Sequence, residues 1–297
     1  MSFAINYRFM QIFTTPQYLV AYATDASAYR EMPQGVCFPE TVEDIQELMH
    51  EAARRGTCVI PRAGGTSLAG QVVGNGIVAD ISRHWDKILE VNAEERYAVV
   101  QPGVVRDELN AALRPKGLFF SPETSTSNRC CIGGMLGNNS CGTHSLVYGS
   151  TRHHVLACTC VLADGSVECF EEYTLQQLEQ RFGPHFWQHE GDSLVERIYA
   201  QLIRFHEDEA TRKLIEDNYP DPTLRRRSCG YAIDEAIARL PQSINLCQLL
   251  AGSEGTLAFA VEIKISLDPL PSGQPHHTPG NSPDLLLHPV CAVQGRS

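Results

Sequence analysis

The sequence PRAGGTSLAG, residues 61–70, begins at the end of a strand-like run, TCVIP at residues 57–61. Its paired glycines, Gly64 and Gly65, let the backbone adopt positive φ and approach a ligand without a Cβ in the way. Successive N–H groups in such a loop converge on an anion, and the hydroxyls of Thr66 and Ser67 add donors. The stretch therefore predicts a phosphate-binding loop, with a plain turn as the alternative.

Two common phosphate motifs do not account for this loop. A Walker loop requires a lysine after its final glycine, whereas Gly70 is followed by Gln71. The dinucleotide fingerprint G-x-G-x-x-G is absent, and no helix with an acidic partner follows in register. By itself, the loop leaves a phosphate site and a plain turn equally open.

Two further polar, glycine-rich stretches support a ligand site. The second stretch contains SPETSTS at 121–127, IGG at 132–134, NNSCG at 138–142 and YGS at 148–150. It is too polar for a core and too long for an ordinary connection, so it suits loops wrapped along an extended polar ligand. An irregular surface loop is the alternative, which the interleaved apolar residues disfavour. The third stretch, AGSEGTL at 251–257, opens a strand.

The surrounding pattern predicts α/β organisation. A strand, helix and strand at 35–38, 41–56 and 57–61 form a βαβ unit, in which Thr41 and Asp44 make a capping box. Asp164-Gly165 suits a tight primed turn within a hairpin. Further expected elements are strands at 76–81, 97–101, 118–120 and 257–267, a helix at 105–113, the hairpin at 155–170, and helical segments within 173–218.

Composition excludes several classes of protein. The 297 residues are 43% hydrophobic and 20% charged, enough for about two domains and a sizeable core. The net charge of −11 disfavours a nucleic-acid partner. No apolar run reaches the roughly 18 residues of a transmembrane helix, and the interrupted apolar run at the N-terminus is too weak for a secretory signal. We expect a cytoplasmic protein, with peripheral membrane association left open.

The eleven cysteines point to neither a metal site nor a disulfide framework. No pair has C-x-x-C spacing, which zinc, iron–sulfur and dithiol sites favour. Buried thiols in a reducing compartment are the expectation, and we assign no metal ligands.

In this order, the motifs PRAGGTSLAG, PETS, IGG, NNSCG, YGS and GSEGTL resemble the FAD-binding domain of the vanillyl-alcohol oxidase and p-cresol methylhydroxylase type. Within it, the chain is most similar to FAD-linked D-lactate, glycolate and D-2-hydroxyglutarate dehydrogenases, and NNSCG resembles the subgroup with a C-terminal iron–sulfur domain. The resemblance covers about residues 33–270. It implies an α+β fold of two α/β subdomains, at about 33–95 and 96–270.

The resemblance also sets expectations for the ends of the chain. Residues 1–32 would be an N-terminal extension, and the proline-rich residues 271–297 a disordered tail. The substrate cap and the cysteine clusters of the subgroup are missing. We therefore expect a chain that is truncated or altered in reading frame.

The resemblance assigns the three stretches to successive parts of FAD. The first would hold the pyrophosphate, the second would line the isoalloxazine and the sugar-phosphate chain, and the third would close the pocket, while the backbone of Val155 would face the adenine. The implied FAD-binding residues are Ala63, Gly64, Gly65, Thr66, Ser67, Leu68, Pro122, Glu123, Thr124, Ser125, Thr126, Gly133, Gly134, Asn139, Ser140, Gly142, Tyr148, Gly149, Val155, Glu254 and Gly255.

The resemblance implies non-covalent FAD, because Thr66 occupies the position where relatives with covalent FAD have histidine. His144, His153 and His154 are either flavin neighbours or, as we expect, ordinary polar loop residues. The run at 225–227 could attract an anionic substrate or be a solvated face. Tyr231 is a further candidate flavin neighbour, and no catalytic acid or base can be assigned.

The implied reaction is oxidation of a small 2-hydroxy acid, with hydride transfer from the substrate α-carbon to flavin N5. Electrons would then pass to an iron–sulfur or quinone acceptor. One alternative is a non-catalytic, truncated flavin-binding fragment. Another is an enzyme resembling UDP-N-acetylenolpyruvoylglucosamine reductase, against which PETS and NNSCG argue.

Overall fold

The computed structural model describes residues 10–221, 223–224, 227 and 230–271. The predicted tail beyond Pro271 and residues 1–9 of the predicted extension lie outside the described residues. The strands are β1 (Gly35–Cys37), β2 (Val59–Arg62), β3 (Ile77–Asp80), β4 (Ile88–Asn92), β5 (Tyr97–Val100), β6 (Leu118–Phe119), β7 (Val155–Val161), β8 (Val167–Thr174), β9 (Ser243–Asn245), β10 (Phe259–Ser266) and β11 (Asp268–Pro269).

The helices alternate with these strands, so the predicted α+β class is confirmed. They are α1 (Pro16–Tyr22), α2 (Val42–Arg55), α3 (Arg106–Leu113), α4 (Ile132–Asn138), α5 (Ser145–Tyr148), α6 (Leu175–Phe182), α7 (Leu194–Glu207), α8 (Glu209–Asn218), α9 (Ile233–Ile237) and α10 (Cys247–Leu250). In the described part of the chain, no helix combines the length and hydrophobicity needed to cross a membrane.

The first unit is the predicted βαβ arrangement. Strands β1 and β2 both pair with β3 in parallel, in the order β1-β3-β2. Helix α2 begins at the capping box of Thr41 and Asp44 and ends at Gly56, whose φ of +64° is left-handed. Its apolar face buries Ile45 and Leu48 completely. Local sequence signals therefore account for this unit.

The second unit is a six-stranded antiparallel sheet in the order β4-β5-β10-β7-β8-β9. Sequence reasoning missed β4, an edge strand whose residues are all partly or fully exposed and show no clean alternation. Because β4 pairs with β5, residues 88–92 join the second sheet, although the proposed division at 95/96 places them in the first subdomain.

The hairpin of β7 and β8 forms as predicted, but its turn does not have the primed geometry. Of the two turn residues, only Gly165 has positive φ (+81°), whereas a type I′ turn needs positive φ at both. The N–H of Gly165 donates to the carbonyl of Leu162, and Leu162 in turn donates to Ser166. The loop therefore has three residues, with the glycine as a left-handed bulge.

The expectation that 121–150 consists of loops wrapped along a ligand is wrong where α4 and α5 form. Glycines at 133, 134 and 137 disfavour a helix. However, Ile132, Met135 and Leu136 lie at helical spacing and are buried. Packing of this face against the core outweighs the low helix propensity of the glycines.

The N-terminal extension is part of the first unit over its described residues. Phe13 pairs with Val36 of β1 in an antiparallel bridge, with N···O distances of 2.7 and 3.0 Å. Ala23, directly after α1, has no exposed surface. These residues pack onto the sheet rather than extending from it.

The two units share a core. One buried cluster joins Ile45, Leu48 and Ile77 of the first unit to Phe259 and Val261 of β10. A second, larger cluster fills the six-stranded sheet and the helices on it. The sheets are thus held together by apolar packing, with the candidate ligand site beside the contact.

A buried tyrosine in the larger cluster yields a stability prediction. Tyr199 has no exposed surface, and its hydroxyl makes no hydrogen bond within the described residues. An unsatisfied buried hydroxyl costs about 1–3 kcal/mol. We expect Tyr199→Phe to raise the free energy of unfolding by about 1 kcal/mol, measured by urea denaturation.

The matched control is Tyr173→Phe, because the Tyr173 hydroxyl donates to the carbonyl of Cys169 at 3.1 Å. This control should leave stability unchanged or lower it. Equal effects of the two substitutions would contradict the assignment of an unsatisfied hydroxyl to Tyr199.

Candidate functional site

A cavity of about 410 Å³ opens where the three glycine-rich stretches meet. Its size lies within the roughly 300–1,000 Å³ that is typical of cofactor sites. The predicted site residues that line it are Ala63, Gly64, Gly65, Thr66, Ser67, Leu68, Thr124, Ser125, Thr126, Gly133, Gly134, Ser140, Glu254 and Gly255. The fold therefore brings residues of all three stretches to one place.

The backbone of the first stretch presents unused donors at this cavity. Gly65 has a φ of +60°, in the left-handed region. Among the described residues, the four N–H groups of residues 65–68 find no protein acceptor. Consecutive N–H groups in such a bend form a cradle for an anion. The loop thus fits a diphosphate, because its donors are otherwise unpaired.

Close packing explains two further glycines. A Cβ on Gly64 would overlap the carbonyl oxygen of Arg129, and one on Gly133 would overlap Pro102. The N–H of Gly133 donates to the carbonyl of Pro102 at 2.8 Å. These glycines allow the second stretch to lie directly against its neighbours at the cavity wall.

The cavity wall also contains residues that sequence reasoning missed. Cys160 of β7 and Phe259 and Ala260 of β10 contribute strand residues that carry no motif. Other missed residues lie within or beside the three glycine-rich stretches, and this proximity in the sequence could have indicated them. They are Pro61, Ala69, Gln71, Val72, Cys130, Cys131, Met135, Leu136, Gly137, Asn138, Cys141 and Ser253. This wall is largely apolar and can exclude water from a ring system.

The turn at 253–255 is docked on the end of α4. Glu254 donates its N–H to the carbonyl of Gly137 at 2.8 Å, and its carboxylate accepts from Asn138 Nδ2 at 3.0 Å. Glu254 also has a positive φ of +53°. Burial raises the pKa of this carboxyl group. The third stretch is therefore a rigid edge of the cavity.

Seven predicted residues do not line the cavity. They are Pro122, Glu123, Asn139, Gly142, Tyr148, Gly149 and Val155. Their assignment to FAD rests on the sequence alone and remains a prediction. The structure gives several of them hydrogen bonds or packing contacts within the protein.

Glu123 organises the loop at 142–144. Its carboxylate accepts from Thr143 Oγ1 at 2.6 Å and from the N–H of His144 at 2.9 Å, and lies 2.8 Å from His144 Nδ1. A Cβ on Gly142 would overlap the Glu123 side chain. Burial alone would raise the pKa of Glu123, but hydrogen bonds from Thr143 and His144 hold it at about 2.

The lowered pKa of Glu123 predicts that its stabilising contribution to the fold depends on pH. The folded-state pKa lies below the ordinary value of 4.5, so Glu123 contributes stability above about pH 4.5, which is lost as the pH falls towards 2. We expect Glu123→Gln to lower stability at pH 6 and to flatten the stability profile between pH 4.5 and 2. Denaturation at several pH values measures this, and a variant that keeps the parent's slope would contradict it.

Asn139 connects two segments that are far from it in the sequence or follow it by more than ten residues. Its side chain donates to the carbonyl of Arg227 at 3.1 Å and accepts from the N–H of Arg152 at 2.9 Å. The buried Arg152 then donates to the carbonyls of Gln248 at 3.0 Å and Ala251 at 2.6 Å. This network holds the start of the 251–255 turn, so Asn139 acts through the cavity edge rather than at its surface.

The other four residues have packing or hydrogen-bonding partners. The carbonyl of Pro122 accepts from Arg106 Nε at 2.6 Å. The ring of Tyr148 meets Phe119 edge to face at 5.5 Å, and Gly149 lies against His153. Val155 is 3% exposed and belongs to the large core.

The additional candidate residues are also outside the cavity lining. His144 pairs with Glu123, His153 Nδ1 accepts from the N–H of Ser150, and His154 is buried between Ser121 and Ser266. Tyr231 donates or accepts a hydrogen bond with Thr256 at 2.7 Å, beside the third stretch.

Of the predicted arginine run, only Arg227 is described. It pairs with Asp234 and Glu235 at closest distances of 2.5 and 3.3 Å, so its charge is already compensated. Among the described residues, no group of three His, Cys, Asp or Glu side chains could hold a metal ion.

Comparison with known proteins agrees with this geometry. Residues 33–170 match the family described as "FAD binding domain". The chain is 40% identical over 255 residues to "D-2-hydroxyglutarate dehydrogenase" of Pantoea ananatis, covering 84% of this chain and 24% of that protein. It is 34% identical over 151 residues to "Glycolate oxidase subunit GlcD" of Bacillus subtilis, covering 50% and 32%.

A solved structure of alkyldihydroxyacetonephosphate synthase shares the fold, with a TM-score of 0.57 at 17% identity, covering 88% of this chain and 38% of that one. The chain spans about a quarter of the length of the D-2-hydroxyglutarate dehydrogenases it matches. The matched domain identifies the cofactor as FAD. Residues 33–170 therefore match an FAD-binding domain, and 84% of the chain is similar to a D-2-hydroxyglutarate dehydrogenase.

Proposed function

We propose that this chain is the FAD-holding part of a dehydrogenase that oxidises a small 2-hydroxy acid. The observation that carries the proposal is the cradle of four unpaired N–H groups at residues 65–68, on the edge of a 410 Å³ cavity. A diphosphate supplies acceptors for such donors. The activity itself is suggested by relatives that act on D-2-hydroxyglutarate and glycolate, as their names state.

The residues around the cradle suit the rest of FAD. Thr124, Ser125 and Thr126 line the wall and bring hydroxyl groups to it that suit the sugar-phosphate chain. The apolar strand wall, including Phe259 and Ala260, would exclude water from a ring system. When bound, the flavin supplies the two-electron chemistry, whereas this chain binds and orients it.

Non-covalent attachment is favoured by the residues at the cavity. No histidine lines it among the described residues, and the cysteines that do are largely buried. Burial raises the pKa of Cys131 to about 12, so its thiol stays protonated at neutral pH. A protonated thiol is a poor nucleophile, which argues against a thioether bond to the flavin.

The partners follow from the same proposal. The substrate would be a small 2-hydroxy acid, and the electrons would pass to an iron–sulfur or quinone acceptor. Nothing among the described residues assigns a catalytic base, so the chain by itself would hold flavin without completing turnover. A cytoplasmic location remains part of the proposal.

Purification of the 297-residue chain tests the proposal. We expect a yellow protein whose FAD is released by heat or acid precipitation. D-2-hydroxyglutarate, glycolate and D-lactate are then added anaerobically, and NADPH with the enolpyruvyl sugar nucleotide in a separate assay. Bleaching by a hydroxy acid supports a complete active site, retention without bleaching supports a flavin-binding fragment, and a folded protein that takes up no FAD overturns the proposal.

A further inference from the structure

Residues 22–31 form a compact turn that precedes the matched domain, which begins at residue 33. We call this segment the N-terminal strap. Thr24 and Arg30 pair in an antiparallel bridge, and the N–H of Glu31 donates to the carbonyl of Ala23 at 3.0 Å. The strap is therefore folded back on itself rather than extended.

The strap contacts the phosphate-binding loop at three points. The N–H of Ala26 donates to the carbonyl of Gly65 at 3.2 Å. From the loop side, Arg62 Nη1 donates to the carbonyl of Thr24 at 2.8 Å. The ring of Tyr29 covers Gly70 so closely that a Cβ on this glycine would lie 2.9 Å from Tyr29 Cδ2.

The strap is itself anchored to the first sheet. The Tyr22 hydroxyl donates to Asp80 Oδ2 at the end of β3, at 2.5 Å, and the guanidinium of Arg62 lies over the Tyr22 ring at 5.1 Å. Ala23 has no exposed surface. The strap thus connects the loop to a rigid strand end.

The contact at Gly65 has a direct geometric consequence. The carbonyl of Gly65 and the N–H of Thr66 belong to the same trans peptide plane and point in opposite directions. When Ala26 holds that carbonyl towards the strap, it directs the N–H of Thr66 away from the strap. Thr66 lines the cavity, and its N–H is one of the four unpaired donors.

We propose that the N-terminal strap is a positioning element of the FAD site, which holds the Gly65–Thr66 peptide in the orientation that a diphosphate requires. The inference rests on the proposed FAD function. The N–H groups of residues 65–68 have no acceptor among the described residues, so the order of this backbone must come from contacts such as the one between the Gly65 carbonyl and Ala26. Preorganised donors bind an anion more tightly because less ordering is needed on binding.

The test uses two substitutions in the strap, each with a matched control. Ala26→Pro removes the N–H that reaches Gly65, and Ala26→Ser keeps it. Tyr29→Ala removes the ring over Gly70, and Tyr29→Phe keeps it. Tyr29 is 62% exposed, so its truncation leaves the fold intact even if the proline variant does not fold.

The dissociation constant for FAD is measured by fluorescence titration of the deflavinated 297-residue protein. We expect Ala26→Pro and Tyr29→Ala each to raise it at least fivefold, with both controls within twofold of the parent. ADP and riboflavin are then used as competitors of FAD. Because the strap acts on the diphosphate cradle, the inhibition constant of ADP should rise in these two variants, whereas that of riboflavin should equal the parent's.

The outcomes separate the two proposals. A parent protein that binds no FAD overturns the proposed function and this inference together. If the parent binds FAD and Tyr29→Ala raises the dissociation constant less than fivefold, only the strap inference falls. An equal loss of riboflavin and ADP competition would also overturn it, because a general structural effect would not distinguish the two ligands.

Discussion

Gly65→Val should raise the dissociation constant for FAD at least a hundredfold in the purified chain. Gly65 has a φ of +60°, where a β-branched residue is strained by roughly 1–2 kcal/mol. Its new Cβ would also lie 2.8 Å from Arg62 Nη2. The guanidinium of Arg62 can move away, but the loop can relieve the strain at positive φ only by changing its backbone, which turns the N–H groups of residues 65–68 away from a common anion. Flavin content after purification and fluorescence titration measure the effect.

Gly56→Val is the control for backbone strain. Gly56 has nearly the same φ, +64°, and no atom within 4 Å of the position of a Cβ, and it lies outside the cavity lining. We expect a similar loss of stability but unchanged FAD binding. If both variants lose FAD equally, or if Gly65→Val retains it, the assignment of the loop to the diphosphate is wrong.

Arg152→Met should cost about 3 kcal/mol of folding free energy and weaken FAD binding at least tenfold. Arg152 is 4% exposed and donates to the carbonyls of Gln248 and Ala251. Hydrogen bonds from a charged donor contribute roughly 1.5–3 kcal/mol each, and their loss leaves two carbonyls unpaired. Because Ala251 precedes the turn that carries Glu254 and Gly255, the cavity edge loosens as well. Urea denaturation and FAD titration measure the two effects.

Arg239→Met provides the comparison. Arg239 instead pairs with a carboxylate, that of Glu172, and its side chain is 70% exposed. Exposed ion pairs contribute about 0–1 kcal/mol, so this variant should be close to the parent in stability and in FAD binding. An Arg152→Met protein as stable as the Arg239→Met protein would show that the buried network does not support the turn.

The local elements could be predicted because their causes lie within a few residues. The Thr41–Asp44 capping box and the stop at Gly56 are read from neighbours three to four residues apart, and they produced α2 with its ends. The glycine loop after β2 was recognised in the same way. The sequence did not predict helix α4, because the low helix propensity of its glycines outweighs the helical spacing of its apolar residues. That spacing stabilises the helix only through the core against which it packs.

The candidate site shows the same distinction between features set by local sequence and features set by tertiary packing. Residue types and motif order predicted that three polar stretches meet at a cofactor site, and they predicted the family resemblance. Only the tertiary structure decided which side chains reach the cavity: Glu123 turns to residues 143–144 and Asn139 to Arg152, whereas Cys160 and Phe259 reach it from motif-free strands. The strap contact between Ala26 and Gly65 is of this second kind. The physical reason is that backbone conformation follows largely from near neighbours, whereas the direction of a side chain depends on partners far away in the sequence.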